Sequence, residues 1–266
     1  MTPAEIVERA LAEDIGTGDV TTDLCVPAAR RATGRFRVRE EMVVAGVELL
    51  PLLYDAIEFQ VDSGTLLHPG REIAVVRGNA RTLLTRERVA LNFLQHLSGI
   101  ATLARKYVDA VRGTNCRILD TRKTTPGLRQ LEKMAARAGG ATNHRMGLFD
   151  AILIKNNHIT AAGGVHPALN AVKSTLLPVE IEVRTRAELD DALACGASHL
   201  LLDNLTPSEA ADWIGHIARR ATVELSGGIT LETVRAYAES GADFISVGAI
   251  THSARAVDIH FRLELE

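Results

Sequence analysis

Cysteine is scarce in this chain, and what there is does not pair. Cys25, Cys116 and Cys195 are odd in number, far apart and without a CxxC spacing, which excludes a disulfide framework and a cysteine zinc site and points to a reducing cytoplasm. No apolar run approaches the length of a membrane span. The opening MTPAEIVERALAED is an acidic amphipathic pattern rather than a signal peptide. A long basic stripe is missing as well: the formal net charge is -3 and the pI about 6.3, which argues against DNA or RNA as a partner. The turn Gly16-Thr17-Gly18-Asp19 resembles a phosphate loop, but it follows a helix, not a strand, and lacks the third glycine and the lysine. It reads as an ordinary turn.

What is present is ample core material. Hydrophobic residues make up 46% of 266 positions, enough for one large or two ordinary domains. Thr2, Pro3 and Glu5 form a helix start, and Ile6, Val7, Ala10 and Leu11 recur at helical spacing until Gly16. From Arg31 to Val76, short alternating segments separated by Gly, Pro and Asp-Ser turns predict an antiparallel sheet, with a helix near ELLPLLYDAI packed on it. Residues 80–110 are strongly helical in period, and Ser98-Gly99 predicts a break into two helices. Glu87, Arg88, Asn92, His96 and Ser98 read there as a solvated face or as core-edge hydrogen bonds.

From Cys116 onward, six apolar runs of strand length appear: CRILD, AILIK, PVEIEV, SHLLLD, TVELS and DFISVG. Most are followed by a helical segment, as in stacked βα units. Six strands where a full barrel has eight predict an incomplete, TIM-like α/β barrel. Polar residues recur at the strands' C-terminal ends: Asp120, Arg122 and Lys123; Lys155 and Asn157; Glu182 and Arg184; Asp203 and Asn204; Ser226, Gly227 and Gly228; Gly248. In this architecture such ends converge on one mouth. The small-residue loops after the last two strands suit a phosphate monoester approached by backbone N–H groups.

The densest charge lies in ILDTRKTTPGLRQLEKMAARAGGATNHRMGLFDAILIKNNH. Between Asp120 and Lys155 it gathers seven cations against three carboxylates, a local +4 in a chain of net charge -3. That contrast predicts a pocket for a multiply charged anion.

The stretches DTRKTTPGLR, GGATNHRMGL and LIKNNHI resemble the quinolinate phosphoribosyltransferase family, and LAEDIGTGDVTT, ERVALNFLQHLSGIAT, VEIEV, LLDN, LSGGI and ISVGAITHSA follow in the family's order. The resemblance implies an α/β chain with an α+β open-faced sandwich over 1–106 and an incomplete α/β barrel over 107–266. It implies a nicotinate-nucleotide diphosphorylase (carboxylating), a pentosyltransferase of NAD biosynthesis. That enzyme joins quinolinate to phosphoribosyl pyrophosphate (PRPP) and releases nicotinate mononucleotide, pyrophosphate and carbon dioxide. By motif, Arg122 would take a substrate carboxylate and Lys123 the PRPP side. His144 and Arg145 would surround the quinolinate carboxylates, Lys155 would face both substrates, and Arg88 would reach the neighbouring subunit's site. Glu182 and Asp203 would hold the ribose hydroxyls or Mg2+, and Ser226, Gly227, Gly228, Gly248 and His252 the 5′-phosphate. Lys123, Lys155, Glu182 and Asp203 would carry the catalysis. The resemblance also implies a cytoplasmic homodimer with shared active sites, or a higher oligomer.

The family usually has Asp where this chain has Asn156, which removes one negative charge beside Lys155. Three other readings stay open on the residues. One is a related pyridine-acid phosphoribosyltransferase or the molybdenum-transport paralogue. The others are a Schiff-base lysine at Lys155 and a phosphate-ligand sensor.

Overall fold

The computed structural model describes residues 1 to 266, and the chain forms two compact units. The first comprises Met1–Arg105, Lys123–Gly140 and Ala249–Glu266, and the second Lys106–Arg122 and Ala141–Gly248. The sequence predicts a single boundary at 106/107. The chain does change unit between Arg105 and Lys106, but residues 123–140 and 249–266 belong with the first unit.

In the first unit, α1 (Pro3–Ile15) starts with the expected capping box: the Thr2 hydroxyl accepts the Glu5 N–H, and the Glu5 carboxylate accepts the Thr2 N–H at 2.7 Å. It stops at Gly16, whose φ of 53° favours glycine. Asp19 then caps α2 (Val20–Cys25) by accepting the Thr22 N–H at 2.9 Å. The Gly16–Gly18 stretch is therefore a turn between two helices. Strands β1 (Arg31–Val38), β2 (Met42–Val43), β3 (Ala56–Phe59), β4 (Leu66–Leu67) and β5 (Glu72–Asn79) follow. Residues 48–57 do not form the expected α-helix. A 3₁₀ turn over Val47–Leu52 carries Pro51 inside it, and the chain enters β3 at Ala56; a proline without an N–H does not propagate a helix.

The main sheet has the order C-terminal strand (Ile259–Leu265), β1, β5, β3, with every neighbour antiparallel. The C-terminal strand runs along β1 from Val38↔Ile259 to Ala32↔Leu265 and covers what would be an open edge. That pairing is why the last residues leave the second unit. α3 (Ala80–Ala110) is one unbroken helix of 31 residues. Ser98 and Gly99 do not break it; both mark contacts. The buried Ser98 hydroxyl accepts the Ala45 N–H at 3.0 Å and donates to the Ala45 carbonyl at 3.3 Å. A Cβ on Gly99 would stand 2.1 Å from the Arg255 carbonyl oxygen. α4 (Arg129–Ala138) and a short helix at Ala249–His252 complete this unit.

The second unit contains all six expected strands: β6 (Arg117–Leu119), β7 (Ile152–Ile154), β8 (Val179–Val183), β9 (His199–Asp203), β10 (Thr222–Ser226) and β11 (Phe244–Ser246). They form one parallel sheet ordered β7, β8, β9, β10, β11, β6. The first strand in sequence thus pairs with the last, leaving a single seam between β6 and β7. A parallel bridge from Leu119 to Thr142 borders that seam, and the result is an incomplete barrel. Helices α5 (Asn156–Ala162), α6 (Val165–Ala171), α7 (Arg186–Ala194), α8 (Pro207–Ile217) and α9 (Val234–Glu239) fall between the strands. Leu200, Leu201 and Leu202 are buried in succession, as a strand covered on both faces requires. No helix is long and apolar enough to cross a membrane.

Gly99→Ala weighs two effects. Alanine gains roughly 1 kcal/mol over glycine inside a helix, but overpacking costs about 1–3 kcal/mol, and here the obstacle is a backbone carbonyl. The variant is expected to be less stable, with a lower urea midpoint at unchanged m-value. A gain in stability would show that the contact yields.

Candidate active site

The strand ends of the second unit carry a ladder of opposite charges. Glu182, next to the end of β8, is 2% exposed and holds two cations. Lys155 Nζ lies 3.1 Å from one of its oxygens, and Arg184 Nη2 lies 2.9 Å from the other. Arg184 Nη2 also stands 3.7 Å from Asp203 at the end of β9. Asp203 accepts the Ser226 hydroxyl at 2.6 Å and the Asn204 side-chain amide at 2.7 Å. Cross-strand register places these groups: Glu182 and Glu224 both stand opposite Leu201, and Asp203 stands opposite Ser226. Such partners share a face.

The loop after Ser226 is a glycine loop for a steric reason. Gly227 has φ 98°, and a Cβ there would meet Asn204 Oδ1 at 2.2 Å; Gly228 has φ 60° and open space where its Cβ would be. The Asn204 N–H donates to the Ser226 carbonyl at 2.9 Å, binding the two strand-end loops together. Gly248 follows β11 at the next strand end.

The Asn143–Asp150 loop is pinned by side chains that accept its backbone N–H groups. Asp120, fully buried, accepts the His144 N–H at 2.8 Å and the Asn143 amide at 2.6 Å. Asp150 accepts the N–H groups of Met146 and Gly147 at 2.6 and 3.0 Å. Between them, the Arg145 N–H donates to His144 Nδ1 at 2.6 Å. Arg145 itself donates to the Ala151 carbonyl at 3.2 Å. Burial and the neighbouring Arg122 guanidinium both pull the Arg145 proton affinity below its usual value. Two guanidinium groups held near each other, neither fully exposed, repel, and the arrangement suits an anion with two carboxylates.

Behind this loop, His144 Nε2 lies 3.3 Å from a Glu180 oxygen and 3.3 Å from a Glu224 oxygen. Burial opposes charge on the ring, but the two carboxylates outweigh it and push the imidazole up to about 10. Burial pushes the Glu180 carboxyl up as well. A fully charged ring would aim an Nδ1–H at the Arg145 N–H, which the 2.6 Å hydrogen bond forbids. The ring therefore presents a hydrogen on Nε2 to the two carboxylates.

In the first unit, the Lys123 loop is held by two anchors. The Thr251 hydroxyl donates to the Lys123 carbonyl at 2.8 Å. Glu132, fully buried in α4, accepts the Thr125 N–H at 3.0 Å and lies 2.8 Å from His96 Nε2. His96 and Ser98 are thus the core-edge hydrogen bonds expected of them. Lys123 and His252 are exposed, and His252 Nδ1 lies 2.6 Å from the Ser253 hydroxyl. Arg88 is exposed on α3.

Of the expected site residues, the second unit brings together Lys155, Glu182, Asp203 and Ser226 in one ladder, with Gly227 beside it. Arg122 and Arg145 form a second pair, and His144 stands behind Arg145. The seven cations of the +4 segment do not act as one set. Arg129 donates to the Thr124 hydroxyl, Lys133 is fully buried in α4 and Arg137 is exposed. Arg184 was placed at a strand end from sequence but given no role, and Glu180 and Glu224 were missed. Their signal was an acid at alternate positions of buried strands, VEIEV and TVELS, where period two aims Glu180 and Glu182 at one face.

Comparison with known proteins places the chain in a family. The family model described as quinolinate phosphoribosyl transferase, N-terminal domain, matches residues 19–98, and the one described as its C-terminal domain matches residues 100–262. The chain is 44% identical to a nicotinate-nucleotide pyrophosphorylase [carboxylating] of Mycobacterium leprae, over 96% of this chain and 95% of that one. It is 38% identical to a probable enzyme of the same name from Bacillus subtilis, over 98% and 93% of the two chains. The crystal structure of nicotinate-nucleotide pyrophosphorylase from Ehrlichia chaffeensis superposes with a TM-score of 0.95 at 34% identity, covering 99% of each chain. A parallel barrel with acids and cations at its strand ends thus belongs to a phosphoribosyl-transfer class. The chain is a member of the quinolinate phosphoribosyltransferase family.

The His144 cluster binds protons more tightly folded than unfolded. Its stability contribution is therefore complete below the ordinary imidazole value of 6.5 and is lost as pH rises toward about 10. Urea midpoints measured from pH 6.5 to 10 are expected to fall more steeply for the parent protein than for His144→Gln. Parallel curves would show that the cluster takes up no proton on folding.

Proposed function

We propose that the protein transfers the phosphoribosyl group of PRPP to the ring nitrogen of quinolinate and releases nicotinate mononucleotide, pyrophosphate and carbon dioxide. The observation that carries this reading is the Arg122–Arg145 pair, two mutually repelling guanidiniums in the unit whose strand ends carry a ladder of acids and cations. Quinolinate is a dianion and its carboxylates match the paired N–H donors of arginine. The ring nitrogen attacks the anomeric carbon as its bond to pyrophosphate breaks. Positive charge develops on the ribose, where Glu182 and Asp203 offer negative charge. Lys155, held 3.1 Å from Glu182, faces both substrates, and exposed Lys123 meets the departing diphosphate.

The alkylated nitrogen is then an electron sink. The 2-carboxylate leaves as carbon dioxide, its electron pair stays on the ring carbon beside the cationic nitrogen, and a proton completes nicotinate. Ser226, Gly227, Gly228 and Gly248 would hold the 5′-phosphate, as small residues that let backbone N–H groups approach closely, and His252 would add its imidazole.

Mg2+ fits this donor set. Glu182 and Asp203 offer only oxygen, the donor it prefers, yet each carboxylate already serves a cation, a hydroxyl or an amide. The ion would be held through its waters and the diphosphate, and it would supply charge neutralisation for the leaving group. We further propose a cytoplasmic homodimer in which Arg88 of one subunit serves the site of the other. The Schiff-base alternative is disfavoured because Lys155 is ion-paired to Glu182 rather than set in an apolar pocket. Three cysteines that stay free are in keeping with a reducing compartment.

Purified protein given quinolinate, PRPP and Mg2+ is expected to form nicotinate mononucleotide, with nicotinate as a poor substitute; no product would refute the reading. Arg145→Ala is expected to weaken quinolinate binding on the order of a hundredfold while PRPP binding changes little. Equal losses for both ligands in calorimetric titration would contradict the assignment. Mixing Arg88→Ala with Lys123→Ala protein is expected to restore part of the activity that each lacks. Failure of that mixture, with dimers confirmed, would place each site within one chain.

A further inference from the structure

We propose that Glu180 and Glu224 are positioning residues that act through His144 on Arg145, and that His144 contributes no ring nitrogen to substrate. The inference rests on the quinolinate reading above and adds residues to it. Glu180 lies on β8 and Glu224 on β10, the strands on either side of β9. One oxygen from each reaches His144 Nε2 at 3.3 Å. Both distances exceed those of a charge-assisted hydrogen bond, about 2.7–2.9 Å, as fits a single N–H shared between two acceptors.

The same three groups could bracket a cation, and the tautomer decides against it. A metal-bound imidazole keeps its proton on the other nitrogen, donating it to a partner. Here that nitrogen, Nδ1, accepts the Arg145 N–H at 2.6 Å, so Nδ1 is bare and Nε2 carries hydrogen. The carboxylates thereby fix the tautomer, and the tautomer fixes the Arg145 backbone. Both ring nitrogens are consumed inside the protein.

The arrangement is not there for stability alone. Glu224 Oε1 is buried and has no hydrogen-bond partner, a cost that a purely structural acid need not carry. It places a carboxylate directly behind a cationic loop, where it holds the His144 Nε2–H turned away from the mouth. The guanidinium of Arg145 is left as the loop's charged contact for a diacid.

Two measurements test this. Nitrogen NMR of imidazole-labelled protein without substrate is expected to show His144 as the Nε2–H tautomer. An Nδ1–H signal, or loss of the Nε2–H signal on adding Mg2+ or Zn2+ alone, would overturn the clamp. In steady-state kinetics, Glu224→Gln and Glu180→Gln, which keep shape and an acceptor, are expected to raise the quinolinate KM about tenfold or more. The PRPP KM should stay near the parent's. In an Arg145→Ala background, Glu224→Gln is expected to add nothing; additive losses would mean that Glu224 acts by another route. Because the NMR arm needs no turnover, an inactive parent protein would sink the enzymatic reading alone, while the wrong tautomer would sink the clamp alone.

Discussion

Glu182 is a charge sealed into the end of a parallel sheet, and the mouth of the second unit is arranged around satisfying it. A carboxylate this buried survives only with partners. It takes Lys155 from the next strand and Arg184 from its own. Arg184 then reaches toward Asp203, and Asp203 takes the Ser226 hydroxyl. One buried acid therefore fixes two cations at neighbouring strand ends, and the ladder runs on through Asp203 to Ser226. Removing one partner leaves the buried carboxylate less well compensated, at a cost moderated by the second cation and by the water that reaches both. Lys155 is half exposed while its acid is not. The ladder therefore has a dry side, which gives rigidity, and a wet side, where a ligand can exchange for water.

The strands of the second unit were legible because each is a short aliphatic run closed by a turn, and their ends named Lys155, Glu182, Asp203 and Ser226 directly. What the sequence could not show is pairing between distant segments. The strand at Ile259–Leu265 lies against β1, more than two hundred residues away in the chain, and nothing local in either segment announces the other. Gly99 failed for the same reason. It looks like a helix breaker, yet its missing side chain makes room for the Arg255 carbonyl. Local rules read a glycine as a statement about its own backbone, and here it is a statement about a neighbour. Glu180 and Glu224 were hidden differently, because an acid in a strand reads as a solvated face unless the opposite face is also known to be buried.

The concentration of cations in residues 120–155 was a sound signal read too broadly. Net charge along a segment is an average, and folding sorts its members by the side on which each points. Lys133 goes into the core of α4 and Arg129 to a threonine, while Arg122, Arg145 and Lys155 stay with the strand ends. Their number matters less than the repulsion between Arg122 and Arg145, which lowers the Arg145 proton affinity and which a diacid would relieve.

Asn156 fits the same logic. It is the first residue of α5, directly after Lys155, whose N–H donates to His158 Nδ1 at 2.9 Å and so fixes the start of the helix. An aspartate there would favour the helix N-terminus by about 0.3–1 kcal/mol, so the asparagine gives up a small local gain. In exchange, no second carboxylate adjoins the lysine, and Glu182 is left as its ion-pair partner. The helix start is held by His158 in either case, because that hydrogen bond comes from the backbone of Lys155. The substitution therefore changes the field at the lysine without changing where the lysine stands, which is how a single residue can tune ligand affinity while the fold stays the same.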